Sequence, residues 1–183
     1  MKPRSFSHSG ITVSNFNRAV RFWWDVFGCP LVGVSDAPPE RVRGFFGVDA
    51  PHGTCKIGWI RIPGGAVIEI FHFEPQQPAQ PVVWNRIGPT HICLNVRGIR
   101  RWHDYLVRKG LEIVSPPEQS PRGHWLFFVK DFDGNLIEIT DHHVDVWRKY
   151  PFHGQERIIQ FSTETRAFEK YTTRIEDEVT ART

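Results

Sequence analysis

An internal repeat constrains this chain more than any other feature. Residues 7 to 34 read SHSGITVSNFNRAVRFWWDVFGCPLVGV, and residues 90 to 114 read THICLNVRGIRRWHDYLVRKGLEIV. Each opens on a His inside an alternating strand pattern, runs into an amphipathic segment, reaches a Gly and ends in a short apolar strand. His8 to Gly28 spans 20 residues and His91 to Gly110 spans 19, so one gap aligns the two. Their continuations also match: Gly65-Ala66-Val67-Ile68-Glu69-Ile70 parallels Gly134-Asn135-Leu136-Ile137-Glu138-Ile139, with the Glu four residues after the Gly in both.

Each unit reads strand, helix, strand, strand, strand. Unit one is expected to place strands near 7–14, 31–35, 54–62 and 66–73 and a helix near 16–27; Ser14 or Asn15 is the N-cap candidate and Gly28 the C-terminal stop. Unit two is expected to place strands near 90–96, 111–115, 124–130 and 135–141 and a helix near 98–109, ended by Gly110. Asp131-Phe132-Asp133-Gly134-Asn135 is a turn between two apolar runs and makes the last two strands a hairpin. The fold class is therefore α+β. Residues 1–142 form a single domain of two βαβββ modules, about 6–74 and 88–142, joined by an extended Pro- and Gln-rich linker over 75–87. Residues 36–53 read as an irregular loop, long enough to point to function. Residues 143–183 read as a C-terminal extension, a peripheral arm or partner contact with a thin helical stripe over 164–179.

Strand periodicity then sorts the side chains. His8, Gly10 and Thr12 share one face and Ile11 and Val13 the other; His91, Cys93 and Asn95 oppose Ile92, Leu94 and Val96. Glu69 and Glu138 fall on the face away from the helices, each between two Ile that take the helix side. Two His and two Glu thus stand at equivalent places on the same kind of face. A carboxylate among apolar neighbours is costly to desolvate without a partner, and its occurrence twice at one repeat position calls for a common cause. A divalent cation supplies one, because imidazole nitrogen and carboxylate oxygen suit Zn, Ni, Co, Mn or Fe(II). His142 shares the parity of Glu138, whereas His72 has helix-side parity and His52, His103, His124 and His153 have no counterpart in the other unit.

Composition narrows the rest. A net charge of +3 is too even for a nucleic-acid binder, and the basic stretches near Arg18–Arg21 and Arg97–Arg101 read as solvated helix faces. No apolar run approaches the roughly 18 residues of a membrane span, and the N-terminus carries no apolar signal core, so no membrane association is expected. Three widely spaced cysteines with no CxxC pair argue against a disulfide framework and point to a cytoplasmic setting. Seven Trp and fourteen Phe suggest an apolar pocket. Phe71, Phe73, Trp59, Phe127 and the segment Arg43-Gly44-Phe45-Phe46-Gly47 are its candidate lining, and Arg41, Arg43 or Arg122 could hold an anionic substrate group.

The segments His8-Ser9-Gly10-Ile11-Thr12-Val13, Val67-Ile68-Glu69-Ile70, Thr90-His91-Ile92-Cys93-Leu94-Asn95-Val96 and Asp131 to Ile139 resemble the vicinal oxygen chelate superfamily. That superfamily includes glyoxalase I, methylmalonyl-CoA epimerase, extradiol dioxygenases, fosfomycin-resistance proteins and bleomycin-binding proteins. The resemblance covers about residues 6–142. It implies two βαβββ modules whose curved, mostly antiparallel sheet surrounds a metal-binding cleft, with His8, Glu69, His91 and Glu138 as ligands. It implies a substrate with adjacent oxygen atoms, chelated by one divalent metal: Ni, Co, Zn or Mn, or Fe(II) in a dioxygenase. The expected activity is a glyoxalase-like lyase or isomerase acting on a small carbonyl compound by proton abstraction, through a metal-stabilised enolate or enediolate, with Glu138 or Glu69 as base. The alternatives are an Fe(II) extradiol-type dioxygenase of an aromatic substrate and a non-catalytic small-molecule binding or resistance protein. Phe71, Arg43, Phe46 and Arg122 are the expected substrate contacts. A homodimer is expected, with the metal site either within one chain or shared between two.

Overall fold

A computed structural model describes residue 3, residues 5–120 and residues 123–141, all within a compact unit spanning residues 1–142. Residues 143–183, with His142 and Arg122, lie outside the described residues. The readings of the C-terminal extension, of His142 and of Arg122 therefore lie there as well.

Unit one runs β1 (His8–Thr12), α1 (Phe16–Phe27), β2 (Leu31–Ala37), α2 (Pro39–Gly44), β3 (Thr54–Arg61) and β4 (Val67–Glu74). Unit two runs β5 (His91–Asn95), α3 (Ile99–Arg108), β6 (Glu112–Ile113), β7 (Glu118–Gln119), β8 (Trp125–Lys130) and β9 (Leu136–Thr140). The strands form two separate sheets, ordered β1-β4-β3-β2 and β5-β9-β8-β6, with β7 paired to β8. β1 pairs with β4, and β5 with β9, in parallel; the other pairings are antiparallel. The crossover from the first strand to the fourth is what places the repeated His beside the repeated Glu.

Local chemistry starts and stops the helices where expected. The Asn15 side chain accepts the Arg18 N–H at 2.9 Å, satisfying one of the first-turn donors of α1. Gly28 ends that helix in the left-handed region at φ 66°, and Gly110 follows α3 at φ 77°. Two features differ from the sequence reading. β2 extends to Ala37, and the segment after it winds into the short α2, so 36–53 is not irregular throughout. Pro38 and Pro39 fit this start, because proline is pre-set for a first helical position. β7 adds a two-residue strand that the short polar stretch Glu118-Gln119 did not signal.

One apolar core holds both modules together. Trp23, Val13, Ile60 and Ile70 of the first and Leu106, Phe127, Ile137 and Ile139 of the second are all buried in it. Between the helices, Phe27 stacks on Trp102 with centroids 6.2 Å apart, and the Tyr105 hydroxyl donates to the Val26 carbonyl at 2.8 Å. The Ser14 N–H donates to the Asp133 carboxylate at 2.9 Å, tying the end of the first strand to the turn of the other module. The linker is not wholly free, because Gln76 Nε2 donates to the Val13 carbonyl at 2.7 Å. With the helix sides of the sheets used up in this core, their opposite faces are left for the site.

A smaller apolar cluster lies on that opposite face of the first sheet. Ala37, Val42, Cys55 and Ile57 are buried there, with Phe46, Val48, Trp59, Phe71 and Phe73 packed against them. α2 and the residues after it thus cover part of the face that carries Glu69. Among the described residues, unit two has no corresponding helix between β6 and β8.

Candidate metal and substrate site

Each His stands beside its Glu through the same strand register. His8 is opposite Val67, two residues before Glu69, and His91 is opposite Leu136, two residues before Glu138. The diagonal step brings His8 Nε2 within 3.1 Å of Glu69 Oε2 and His91 Nε2 within 3.0 Å of Glu138 Oε2. The carboxylates are the more enclosed partners, at 14% and 16% exposure, while the imidazoles stand at 43% and 28%. An oxygen set into the sheet and a ring nitrogen at its surface therefore face outward together, twice.

The other ring nitrogen of each His is held by the preceding residue. Ser7 Oγ lies 3.0 Å from His8 Nδ1, and Thr90 Oγ1 lies 2.8 Å from His91 Nδ1. A hydroxyl on Nδ1 sets the ring plane and turns Nε2 toward the carboxylate; were Nδ1 to carry the proton and donate it to that hydroxyl, Nε2 would be the nitrogen offered to a metal. Ser-His and Thr-His open the two repeats, so this signal was present in the sequence but not read from it.

Within one chain the pairs remain pairs. Among the described residues, no three or more His, Cys, Asp or Glu lie close enough to hold one metal ion. Each pair offers the imidazole and carboxylate that a divalent cation takes, but two protein donors are half of the four expected. The donor chemistry fits a metal, and within one chain it stands as two separate His–Glu pairs.

The two pairs differ in their surroundings. Cys93 stands where the first module has Gly10, directly opposite Glu138. Cys93 is exposed as a whole residue, but partial desolvation of its thiol, then the charge and hydrogen bond of Glu138, push it up to about 12. Aromatic rings frame His91: Trp84 at 5.6 Å and Phe128 at 5.4 Å between centroids, with Trp84 and Phe128 themselves 5.1 Å apart. Trp84 comes from the linker, where sequence reasoning placed no functional residue. Phe128 corrects the reading of Phe127. Phe127 is fully buried in the shared core, and Phe128, one residue on and opposite Glu138, carries the aromatic ring on the site face.

Glu69 instead borders a cavity of about 720 Å³. Phe46, Phe71 and Trp59 line it with Ile57 and Phe45, and Asp36, Glu40 and Arg41 are its charged residues besides Glu69. Two of the expected substrate contacts, Phe46 and Phe71, are thus brought to Glu69. Arg43 is exposed and is not part of this lining, which takes Arg41, two residues earlier in α2. Phe73 packs on Phe71 and Phe46 in the adjoining cluster.

The comparisons with known proteins agree with this architecture. The chain belongs to the Glyoxalase/Bleomycin resistance protein/Dioxygenase superfamily, whose family model matches residues 5–139. A glyoxalase family protein from Bacillus cereus is similar over 76% of this chain and 95% of its own, with a TM-score of 0.64 and 22% identity. A glyoxalase family protein from Enterococcus faecalis covers 75% of this chain and 97% of its own, with a TM-score of 0.59 and 22% identity. A glyoxalase I mutant from Zea mays is similar over 74% of this chain and 44% of its own, with a TM-score of 0.57 and 15% identity. At these identities the likeness is one of fold. No curated protein matches. No helix among the described residues is long and apolar enough to cross a membrane.

Proposed function

We propose that the protein is a metal-dependent lyase or isomerase that moves a proton on a small carbonyl compound with adjacent oxygen atoms. The observation that carries this reading is the pair of His–Glu couples, set in identical register on the open faces of two sheets. Because each couple supplies only two donors, we place the complete site between two chains of a homodimer. His8 and Glu69 of one chain would meet His91 and Glu138 of a second, giving two equivalent sites by two-fold symmetry.

A divalent cation held by these residues would supply Lewis-acid polarisation of a carbonyl oxygen. The chain's own groups do the rest. His8 and His91 present Nε2 as donors, with Ser7 and Thr90 holding the opposite nitrogens. Glu69 lies beside the cavity, so its carboxylate is the one positioned to take a proton from a substrate carbon. Glu138 is positioned to return a proton from the other side of the shared site, and its hydrogen bond with Cys93 holds that carboxylate in place. The apolar rings around the cavity exclude water from the proton in transit.

The aromatic lining also favours a second reading, an Fe(II) dioxygenase of an aromatic substrate, for which two His and one carboxylate would suffice. Metal analysis by mass spectrometry on protein purified without added metal or chelator separates the two. Nickel, cobalt, zinc or manganese at about one per chain supports proton transfer, and iron with oxygen uptake supports the dioxygenase. Solvent-deuterium incorporation into candidate carbonyl compounds, followed by NMR, tests the first reading directly. Glu69→Gln is expected to slow incorporation by about a hundredfold or more. Failure to take up any divalent ion would overturn both readings.

A further inference from the structure

We infer that the substrate carries an uncharged aryl group, and that this group enters the cavity beside Glu69. The inference rests on the shared metal site proposed above and adds the part of the substrate that the metal does not touch.

Three observations converge on it. First, the cavity walls are flat rings: Phe46 meets Phe71 edge to face at 5.8 Å, and Trp59 lies opposite Glu69 on the neighbouring strand. At about 720 Å³ the space is that of a small-molecule pocket, with room for a ring and a chelating head. Rings that already pack edge to face accept another ring more readily than a flexible polar chain. Second, the charged residues at the cavity do not select an anion. Asp36 and Glu40 outnumber Arg41, and the Arg41 guanidinium lies 5.2 Å from the centre of the Phe45 ring. An arginine clamp for a substrate carboxylate or phosphate is therefore not what this cavity presents. Third, the walls of this cavity have no match among the described residues of the second module. The second module has Thr140 where the first has Phe71, and no helix among its described residues corresponds to α2. Nothing in the repeat itself demands these rings, so they answer to something other than holding the metal.

The chemistry gives a direction to the bound molecule. With adjacent oxygens toward His8 and Glu69 and the ring toward Phe46, the carbon joining head and ring faces the Glu69 carboxylate. That carbon bears the proton to be moved, and an attached aryl ring delocalises the negative charge left behind.

Hydroxamic acids test the inference, since they chelate a metal through two neighbouring oxygens and can carry any side group. The full chain is loaded with nickel, its metal content is measured, and binding of acetohydroxamic, benzohydroxamic and 4-carboxybenzohydroxamic acid is followed by calorimetry. Benzohydroxamate is expected to bind about tenfold tighter than acetohydroxamate or better, from burial of the ring, and the 4-carboxylate is expected to abolish that gain. Phe46→Ala should bring the benzo and aceto compounds within about threefold while leaving nickel content unchanged. Trp59→Leu, checked for folding by circular dichroism, is the second variant and should do the same. Nickel-loaded protein that binds all three acids within about threefold overturns the aryl inference and leaves the metal site standing. Protein that takes up no nickel overturns the metal reading, and the inference falls with it.

Discussion

If each metal site is shared between two chains, damaged chains should repair one another in a pattern set by which module is damaged. His8→Ala removes a donor from the first module and leaves His91 and Glu138 intact. His91→Ala does the reverse. Each variant alone forms a homodimer in which both sites lack a donor, so neither should retain metal through desalting. A heterodimer of the two, purified through two different affinity tags, concentrates both losses in one site and rebuilds the other. It should hold about one metal ion per dimer against about two for the wild type. A heterodimer of His8→Ala with Glu69→Gln carries both lesions in first modules and should hold none. Metal content by mass spectrometry on the desalted heterodimers, with native mass spectrometry confirming their composition, reads all three results. The reasoning is refuted if the cross-module pair recovers nothing, or if the same-module pair recovers as much. It is equally refuted if either single variant keeps its full metal content, since two donors would then suffice without a partner.

The remaining predictions concern the scaffold around the half-sites. Thr90→Val removes the hydroxyl on His91 Nδ1 and should weaken metal binding by about ten- to a hundredfold, with Thr90→Ser restoring it; unchanged affinity would mean the hydroxyl does not orient the ring. A Cβ at Gly58 would lie 2.8 Å from the Phe16 ring and 3.0 Å from Leu31 Cδ1, so Gly58→Ala should lower stability in urea by about 1–3 kcal/mol as α1 is pushed from the sheet. Gly44→Ala, with nothing within 4 Å of its Cβ, serves as the comparison and should stay close to the wild type. Burial raises the Asp131 carboxyl above its ordinary value of 3.8, against the opposing hydrogen bonds from Asn135 and Asp133. The folded state therefore binds that proton more tightly than the unfolded state. The stability this group contributes is full below the unfolded value and is lost as pH rises through the folded one. As pH falls through that window, the wild type should gain on Asp131→Asn by up to about 1.4 kcal/mol per pH unit, and parallel stability curves for the two would refute it.

The two repeats made the body of the fold legible, because helix caps and strand alternation are local signals. Asn15, Gly28 and Gly110 act where their chemistry predicts, and the parity of His8, Glu69, His91 and Glu138 follows from a period of two. What was not legible came from contacts between segments distant in sequence. Phe127 and Phe128 are adjacent aromatics on one strand, and either could serve the site until the pairing with Glu138 selects the second. Trp84 sits in a stretch whose prolines suggest extension, and only the tertiary fold brings its ring onto His91. α2 is six residues long, below the length at which apolar periodicity announces a helix, and is held by the buried Val42 rather than by its own propensity. The separation of the His–Glu couples within one chain had no local signal, since identical modules can be paired within a chain or between chains.

The diagonal register of each His with its Glu has a consequence for how such a protein can change. A single residue gained or lost inside β4 would turn Glu69 into the core and swing an isoleucine out in its place. Between the strands there is no such penalty. His8 and Glu69 are 61 residues apart, His91 and Glu138 are 47 apart, and both couples close to nearly the same distance. Much of the extra length in the first module is the segment carrying α2, which walls the cavity. Material around the cavity can thus be spliced in, lengthened or exchanged between strands without disturbing the register of the two His–Glu couples, so on the function proposed above substrate choice and reaction centre could be inherited independently.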